Sequence, residues 1–317
     1  MNHSSLWQPD TVLSGYETRT LMLPDRYEGM VPATLVRRRA ETPTRRAVLY
    51  VHGFADYFFQ SHMAEQFIAA GYHFYALDLR RCGRSLRPGQ LPNYIDQLRE
   101  YDDELNVAIE VLYGDEGVDW LLLSGHSTGG LIASLYGHHG RRRTWVDAFF
   151  LNSPFFAFNQ TALLRAILLP AIVGVSRVAP GLVVSGLGEN YGRSIHRSHY
   201  GEWDFDLAWK PLAGVQARAA WVRAVHEGQS QLARGLKIAQ PILLMHSDRS
   251  VRGMRWSDDL RQADAVLNVA DMRRLASKLG SQVSTIEIAG GLHDLVLSAE
   301  PVRSRVFGEL FAWLRQL

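Results

Sequence analysis

The most informative stretch of this sequence reads Trp120-Leu121-Leu122-Leu123-Ser124-Gly125-His126-Ser127-Thr128-Gly129-Gly130-Leu131-Ile132-Ala133-Ser134-Leu135. An apolar run that predicts a strand leads into Gly-x-Ser-x-Gly, and a helical pattern follows at once, which is the context that this serine nucleophile motif requires. A nucleophilic serine stands on a sharp, strained turn, and glycines at 125 and 129 remove side chains that would collide there. The helix behind the serine points backbone N–H groups at the place where an oxyanion would form. We therefore predict that Ser127 is a catalytic nucleophile.

A serine nucleophile needs a base, and His293 is the best placed of the histidines that follow Ser127. In hydrolases with this motif the chain order is serine, then acid, then histidine. His293 follows the strand-like run at 283–288 and the glycine pair Gly290-Gly291. Such a loop lies at the carboxyl edge of a parallel sheet, where ligands bind. The sequence therefore predicts His293 as the general base.

Two aspartates compete for the role of the acid that orients His293. Asp248 comes directly after the strand-like run at 241–246, while Asp264 comes just before a predicted helix at 269–279. The separation from His293 is 29 residues for Asp264 and 45 residues for Asp248. One helix and one strand fit the shorter separation, so we favour Asp264 and keep Asp248 as the alternative acid.

Several segments resemble, in order, the α/β-hydrolase superfamily, and within it the group of monoacylglycerol lipases, lysophospholipases and serine aminopeptidases. They are the strand and His-Gly turn Ala47-Val48-Leu49-Tyr50-Val51-His52-Gly53-Phe54, the stretch Tyr75 to Ser85, the motif Gly125 to Gly130, and Asn152-Ser153-Pro154. The resemblance implies a mostly parallel, doubly wound sheet with an inserted helical cap. It also implies an oxyanion hole formed by the backbone N–H groups of Phe54 and Thr128.

The resemblance bears on the choice of acid as well. In this family the acid and the histidine are usually about thirty residues apart, which supports Asp264. The family normally places its acid soon after the strand that Asp248 follows, so the 16-residue offset to Asp264 implies an insertion in that loop. The prediction is a triad of Ser127, Asp264 and His293, with an Asp264 carboxylate oxygen in contact with the His293 ring.

The order of predicted elements alternates strand and helix, which is typical of a parallel sheet covered on both faces. The alternation stops over residues 153–235, where no strand is obvious. We therefore predict a hydrolase core of residues 1–152 and 236–317 and a helical cap of residues 153–235. Predicted strands lie near 17–23, 34–39, 48–51, 73–77, 120–123, 148–151, 242–245 and 283–288, and core helices near 61–70, 95–112, 130–137, 269–279 and 301–314.

The predicted cap contains an apolar run at 162–175 that is too short, at under ~20 residues, to span a membrane. It is either a lid helix over an acyl chain or a helix packed on the core, and the sequence favours neither interpretation over the other. Further on, residues 200–211 alternate acids with aromatic side chains. This segment is either an irregular connector with buried tryptophans or a wall of the substrate site.

The predicted activity is hydrolysis of carboxylic esters, of monoacylglycerol or lysophospholipid type, through an acyl-enzyme and without cofactor or metal. One alternative is a serine aminopeptidase, which would need acids in the cap to hold an amine. Another alternative is a hydrolase fold kept as a non-catalytic small-molecule receptor. The spacing His196-x-x-His199 lacks the further ligands that a zinc site needs. The cap acids available to an aminopeptidase are Glu189, Glu202, Asp204 and Asp206.

Charge and cysteine content limit the partners and the compartment. The formal net charge is +2, too small to imply a polyanionic partner, and the arginine runs at 37–39 and 141–143 are interpreted as solvated faces rather than nucleic-acid sites. The single cysteine, Cys82, and an N-terminus without signal-peptide features favour a cytoplasmic protein with a small ester or lipid as its partner. Peripheral membrane contact through the cap and the oligomeric state stay open.

Overall fold

A central sheet carries the active-site motif in the computed structural model, which describes residues 6–185, 188–252 and 255–317. Over these residues the sheet has nine strands in the order β1-β2-β3-β5-β4-β6-β7-β10-β11. The first three strands and β5 pair antiparallel, and the strands from β5 to β11 in this order pair parallel. The strands are β1 (Gln8–Pro9), β2 (Glu17–Asp25), β3 (Gly29–Arg38), β4 (Arg46–Val51), β5 (His73–Asp78), β6 (Trp120–His126), β7 (Ala148–Asn152), β10 (Ile242–Ser247) and β11 (Val283–Ile288), and a separate pair is formed by β8 (Val183–Ser185) and β9 (Ala217–Arg218).

Helices cover both faces of the sheet, and each face has its own hydrophobic core. Along β4, Ala47, Leu49 and Val51 join one core while Val48 and Tyr50 join the other, as the alternation of side chains along a strand requires. The predicted α/β-hydrolase fold, a mostly parallel sheet with helices on both faces, is confirmed. The helices are α1 (Ser61–Ala69), α2 (Tyr101–Gly114), α3 (Thr128–His139), α4 (Ala162–Ser176), α5 (Glu189–Ile195), α6 (Ala219–Arg234), α7 (Val269–Ala276) and α8 (Glu300–Leu314). Within the described ranges, no helix combines the length and the apolar character needed to cross a membrane.

Helix α2 and the segment 153–235 differ from their predictions for local reasons. Helix α2 begins at Tyr101 rather than near residue 95, because the Glu100 carboxylate accepts hydrogen bonds from the backbone N–H groups of Asp96 (2.8 Å) and Gln97 (2.9 Å) and caps the turn before the helix. The short strands β8 and β9 lie within residues 153–235, where the sequence showed no strand. Strands of two and three residues are too short to leave a periodic pattern.

In the arginine run at 37–39, the predicted solvated face is wrong for Arg37, whereas the side chain of Arg39 is 55% exposed. Arg37 is buried, and its guanidinium donates to Glu116 at 2.7 Å and to Glu17 at 2.8 Å. The same guanidinium lies 3.9 Å from the centre of the Trp7 indole ring. This cluster fastens the N-terminal segment to the sheet. The run at 141–143 does lie near solvent, since the side chain of Arg141 is 64% exposed.

Candidate active site

The turn that carries Ser127 has the strained geometry that the motif predicts. Ser127 joins β6 to α3 with φ 52° and ψ −116°, and its N–H donates to the Asn152 carbonyl at 3.0 Å. A Cβ on Gly125 would lie 2.4 Å from the carbonyl oxygen of Gly129, and a Cβ on Gly129 would lie 2.2 Å from that of Val51. Only glycine fits at both positions, so the backbone can pass close enough to present the serine.

Three side chains from separate elements form a hydrogen-bonded chain at this turn. Ser127 Oγ lies 3.0 Å from His293 Nε2, and His293 Nδ1 lies 3.0 Å from Asp264 Oδ2. An ionised carboxylate only accepts hydrogen bonds, so the Nδ1–H donates to Asp264 and leaves Nε2 free to accept the serine proton. All three side chains are buried. This is the arrangement in which a histidine activates a serine.

The backbone around Asp264 holds its carboxylate in place. Asp264 Oδ1 accepts hydrogen bonds from the N–H groups of Val266 at 2.8 Å and Leu267 at 2.7 Å. The other carboxylate oxygen is thereby left for His293. These two backbone donors hold the fully buried carboxylate in one orientation, and this fixes the direction in which the histidine ring faces.

Asp248, the alternative acid, has a different environment. Its N–H donates to the carbonyl of Ile288 at 3.1 Å, and its Oδ1 accepts from the N–H of Gly290 at 3.1 Å. Asp248 thus extends the pairing of β10 with β11 and closes the glycine turn before His293, and it makes no hydrogen bond to the His293 ring.

The 16-residue offset between the two aspartates is taken up by a loop that returns to its starting point. The Asp264 N–H donates to the Arg249 carbonyl at 3.0 Å, and the Val251 N–H donates to the Asp264 carbonyl at 2.9 Å. These bonds place Asp264 beside the end of β10, although it is far from that strand in sequence. The described part of this intervening chain, which we call the 249–263 loop, therefore projects from the point where Asp264 meets Arg249.

The two residues of the predicted oxyanion hole, Phe54 and Thr128, line the same cavity as the serine. Gly53 approaches Ser127 so closely that a Cβ there would lie 3.2 Å from the serine Cβ, and it brings the next residue, Phe54, to the same wall. Thr128 is the first residue of α3. Across the described chain, neither the Phe54 N–H nor the Thr128 N–H has a hydrogen-bond acceptor. Both donors are therefore available to a substrate oxygen, which is what an oxyanion hole requires.

A buried polar group beside the triad was missed by sequence reasoning. His126 is 3% exposed and lines the cavity. Neither of its ring nitrogens has a hydrogen-bond partner among the described residues, and Nε2 lies 3.9 Å from Asp294 Oδ2. Burial, with the nearby His293 ring 4.9 Å away, holds the pKa of His126 well below its usual range. Burial also raises the pKa of Asp294, which accepts a hydrogen bond from Asn152 at 2.7 Å. The sequence feature that could have identified His126 as a residue of the site is its position next to Ser127 in the serine motif.

A buried ion pair joins residues 153–235, the predicted cap, to the core near the same cavity. Lys210 Nζ lies 2.8 Å from Asp56 Oδ1, and both side chains are more than nine-tenths buried. The two residues line the cavity at Ser127. No local motif links positions so far apart in the chain, so sequence reasoning had no signal for this pair.

A cavity of about 910 Å³ opens over Ser127, between the sheet and residues 153–235. Its polar lining comes from the surroundings of the triad, from α5, and from Asn159, Gln160 and Arg165 in and just before α4. Most of its remaining wall is apolar and comes from α4, from α6 and from the chain around Phe155 and Leu267. The apolar lining residues include Phe155, Phe158, Leu164, Leu168, Leu169, Ile172, Trp221, Val222, Leu260 and Leu267.

The cap acids considered for amine binding mostly lie elsewhere. Glu189 lines the cavity, whereas Glu202 pairs with Arg303 at 2.8 Å and Asp204 pairs with Arg197 at 3.1 Å. Asp206 accepts a hydrogen bond from the N–H of Ala208 in its own turn. Over residues 6–185, 188–252 and 255–317, no cluster of three side chains has the composition of a metal site, and the His196 ring instead contacts Ser198 Oγ at 2.7 Å.

Comparison with known proteins agrees with this geometry. Residues 42–300 match the family model described as serine aminopeptidase, S33. Over 288 residues the chain is 25% identical to the monoacylglycerol lipase of Mycolicibacterium smegmatis, with 86% of this chain and 89% of that protein covered.

Solved structures show the same fold at low sequence identity. A soluble variant of monoglyceride lipase from Saccharomyces cerevisiae, in complex with a substrate analogue, matches with a TM-score of 0.66 and 16% identity over 94% of both chains. The monoacylglycerol lipase of Paleococcus ferrophilus matches with a TM-score of 0.62 and 20% identity, over 88% of this chain and 98% of that one. The chain therefore belongs to the serine aminopeptidase S33 family, and the predicted resemblance to the α/β-hydrolase group of monoacylglycerol lipases, lysophospholipases and serine aminopeptidases is confirmed.

Proposed function

We propose that this protein is a serine hydrolase that cleaves carboxylic esters of lipid type, monoacylglycerols or lysophospholipids, through Ser127, His293 and Asp264. The observation that carries the proposal is the hydrogen-bonded chain from Ser127 Oγ through His293 to Asp264, placed at the foot of a largely apolar cavity. The serine supplies the nucleophile, the histidine moves the proton, and the cavity holds the apolar chain.

In this mechanism Ser127 Oγ attacks the ester carbonyl carbon while its proton passes to His293 Nε2. Asp264 fixes the histidine tautomer and stabilises the imidazolium that forms. The backbone N–H groups of Phe54 and Thr128 receive the oxyanion of the tetrahedral intermediate. Collapse breaks the ester C–O bond, and His293 returns the proton to the leaving alcohol. Water then attacks the acyl-enzyme by the same steps and releases the acid.

Three observations favour a lipid ester over a peptide. The cavity wall is mainly apolar, and a pocket of this kind binds apolar groups with a few polar contacts near the reacting atoms. Of the four cap acids that could hold a peptide amine, Glu189 alone lines the cavity in the described structure. The similar proteins from Mycolicibacterium smegmatis and Paleococcus ferrophilus carry the name monoacylglycerol lipase. The complete hydrogen-bonded chain of Ser127, His293 and Asp264 also disfavours a retained, non-catalytic receptor.

Substitution of the nucleophile tests the proposal directly. Ser127→Ala should abolish ester hydrolysis and labelling by a fluorophosphonate, because no other group at the turn supplies the attacking oxygen. The free energy of unfolding should change by no more than about 1 kcal/mol, or rise, since the strained turn loses little with the hydroxyl. Ser124→Ala, at a buried serine of the same strand, is the matched control and should keep both activities. Hydrolysis by Ser127→Ala at the parent rate would exclude the proposal.

The two aspartates give a second test. Asp264→Asn should lower kcat by about 10²–10⁴, because the asparagine can present an N–H to the ring and favour the wrong histidine tautomer. Asp248→Asn should mainly lower stability, since Asp248 holds the turn before His293 and not the ring itself. Steady-state kinetics and urea unfolding of both variants separate the two roles. A larger loss of kcat in Asp248→Asn would reverse the assignment.

A substrate series tests the lipid assignment. If an acyl chain occupies the cavity, kcat/KM should rise from acetate to medium and long chains, because each buried methylene contributes about 0.8 kcal/mol. Monoacylglycerols, lysophospholipids and aminoacyl anilides should be measured beside the p-nitrophenyl esters. Equal rates along the series, or a preference for the anilides, would favour the aminopeptidase.

We further propose that the protein meets its lipid at a membrane surface through α4. Leu163 and Ile167 are 73% and 62% exposed on this helix, and Val178 just beyond it is 85% exposed. Leu164 and Leu168 are partly exposed on the same helix and also line the cavity, so the apolar surface continues into the site. An exposed apolar patch of this kind marks an interaction site more often than a solvated surface.

The single buried cysteine supports a cytoplasmic location, which fractionation of the host cells would test.

A further inference from the structure

The 249–263 loop contacts the cap at a position far from its base. The Trp256 ring stacks on Tyr200 of the cap, with ring centres 3.7 Å apart and planes 18° apart. The short helical turn Asp258–Arg261 packs beside α5, which lines the cavity. The loop is thus held at its outer part by the cap and at its base by the backbone bonds of Asp264.

The same loop also reaches the segment that leads into α4. Arg252 donates a hydrogen bond to Asn159 Oδ1, and Asn159 Nδ2 donates to the Val266 carbonyl at 2.9 Å. Contacts on both sides, Asn159 before α4 and Tyr200 after α5, fix the loop across one side of the cavity. Its inward-facing side chain therefore has a defined position.

That side chain is Leu260. It is 2% exposed, whereas its neighbours Asp258, Asp259 and Arg261 are exposed. In the described structure Leu260 belongs to neither of the two hydrophobic cores of the sheet, and it lines the cavity. Its burial therefore comes from the cap and the cavity wall. A side chain placed there shapes the space available to a bound molecule.

We propose that Leu260 is a specificity-determining residue, which limits the length of the acyl chain that the cavity accepts. The inference rests on the proposed function, because it assumes that an acyl ester is the substrate. Leu260 is apolar, as are Leu267 and Leu164 elsewhere in the wall of the same cavity, and such a wall suits a hydrocarbon chain. A wall residue on this loop would set the preference for chain length without altering the triad.

The experiment measures kcat/KM for p-nitrophenyl esters from acetate to palmitate. Leu260→Ala removes three carbons from the wall, and the preferred chain should become longer by about two methylenes, with the ratio of long-chain to short-chain kcat/KM rising roughly tenfold. Leu260→Phe should shorten the preferred chain. Leu260→Met keeps the side-chain volume and should retain the parent profile. It serves as the comparison if Leu260→Ala folds poorly.

A matched control separates specificity from general loss of packing. Leu279→Ala removes the same atoms from a fully buried site in a sheet core, away from the cavity, and should lower stability without changing chain preference. If Leu260→Ala and Leu260→Phe both keep the parent profile while Ser127→Ala is inactive, the inference is wrong and the proposed function stands. If the parent hydrolyses no ester of the series, the proposed function itself is wrong.

The stacking contact supplies an independent variant. Trp256→Ala removes the outer support of the loop, so the preference should shift toward longer chains, as with Leu260→Ala but by a smaller factor. Trp256→Phe keeps an aromatic ring against Tyr200 and should retain the parent profile. An identical chain-length profile for Trp256→Ala and the parent would show that the stacking of Trp256 on Tyr200 does not hold the loop in position. The cap would then not be what positions Leu260, and that part of the inference would be wrong.

Discussion

Two parts of residues 153–235, the predicted cap, place their apolar side chains in different environments: helix α4 and the segment 203–210. Helix α4 points several large apolar side chains at solvent, and Leu163 and Ile167 are each more than half exposed. The segment 203–210 instead turns its aromatic side chains inward, against the hydrolase core. Phe205, for example, is buried against Phe59, with ring centres 5.1 Å apart.

The contacts of segment 203–210 with the core are polar as well as aromatic. The Trp203 indole N–H donates to the Leu297 carbonyl at 2.7 Å, and the N–H of Asp206 donates to Tyr57 Oη at 2.7 Å. Lys210 completes the set with its ion pair to Asp56. Helix α4 forms an ion pair with the core, between Arg165 and Asp271 at 3.1 Å, and its buried side, which includes Leu169, joins the hydrophobic core on one face of the sheet.

The difference shows that hydrophobicity along the chain does not tell which cap segment is fixed. The more apolar segment, α4, is the more exposed one, and the segment rich in acids and aromatic side chains is attached to the core. Directional contacts fix the second segment, whereas α4 offers surface that is free to meet another apolar phase. We expect substitutions in the two segments to affect different properties.

Breaking the ion pair should give the largest effect. Lys210→Met leaves the Asp56 carboxylate buried without its partner, and the free energy of unfolding should fall by about 3–5 kcal/mol. Urea unfolding measures the loss. The double variant Asp56→Asn, Lys210→Met removes both charges and should recover much of it, while Lys237→Met at an exposed lysine should change little. A loss below about 1 kcal/mol would mean that the pair does not fix this segment.

The next effect concerns pH. Burial lowers the pKa of His62 to about 4, and its ring stacks on Trp203 with centres 4.1 Å apart. Between about pH 6.5 and 4, His62 is protonated in the unfolded chain but neutral in the folded protein. The stability that its neutral form contributes is therefore present at neutral pH and is lost as pH falls from about 6.5 to 4, by up to about 3 kcal/mol.

Variants of His62 isolate this contribution. His62→Gln keeps an N–H for the Val296 carbonyl but does not titrate, so stability should depend less on pH between 6.5 and 4. His199→Gln, at an exposed histidine of the cap, should leave the pH dependence as it is in the parent. Parallel stability curves for the parent and His62→Gln would contradict this assignment.

The smallest effect on stability is expected on α4. Leu163→Ser and Ile167→Ser should each change the free energy of unfolding by less than about 0.5 kcal/mol, because the side chains are already exposed. Flotation with phosphatidylcholine vesicles should nevertheless show at least several-fold weaker binding, since each change removes apolar area from the membrane-facing surface. Leu91→Ser, an exposed leucine outside the cap, is the control. Unchanged flotation would show that α4 is not the membrane contact.

The parts of the site that sequence could predict are those encoded locally. Ser127 lies in a motif whose glycines, flanking strand and helix are all contiguous, and His293 follows a strand and a glycine pair. The sheet could be predicted for the same reason, because alternating apolar strands and amphipathic helices leave a periodic pattern. The two-residue strands of the structure leave no such pattern.

The remaining parts depend on contacts between distant segments. Spacing favoured Asp264 over Asp248, but spacing does not show that a chain returns to its starting point, which the backbone bonds at Arg249 do. The ion pair of Lys210 with Asp56 has no sequence signal. The interpretation of Arg37 as solvated was wrong because its partners come from a neighbouring strand and a distant turn.

The closed base of the 249–263 loop has a consequence for how such enzymes diversify. Val251 and Asp264 are hydrogen-bonded to each other, so the two ends of the loop between them are already closed. Doubling the number of residues in this loop costs only about 0.6 kcal/mol of closure entropy, so one such loop can replace another. Loops transplanted between relatives at these two points should carry substrate preference with them. The nucleophile, base and acid would stay in register, so new specificities could arise by swapping one surface segment while the catalytic chemistry is inherited intact.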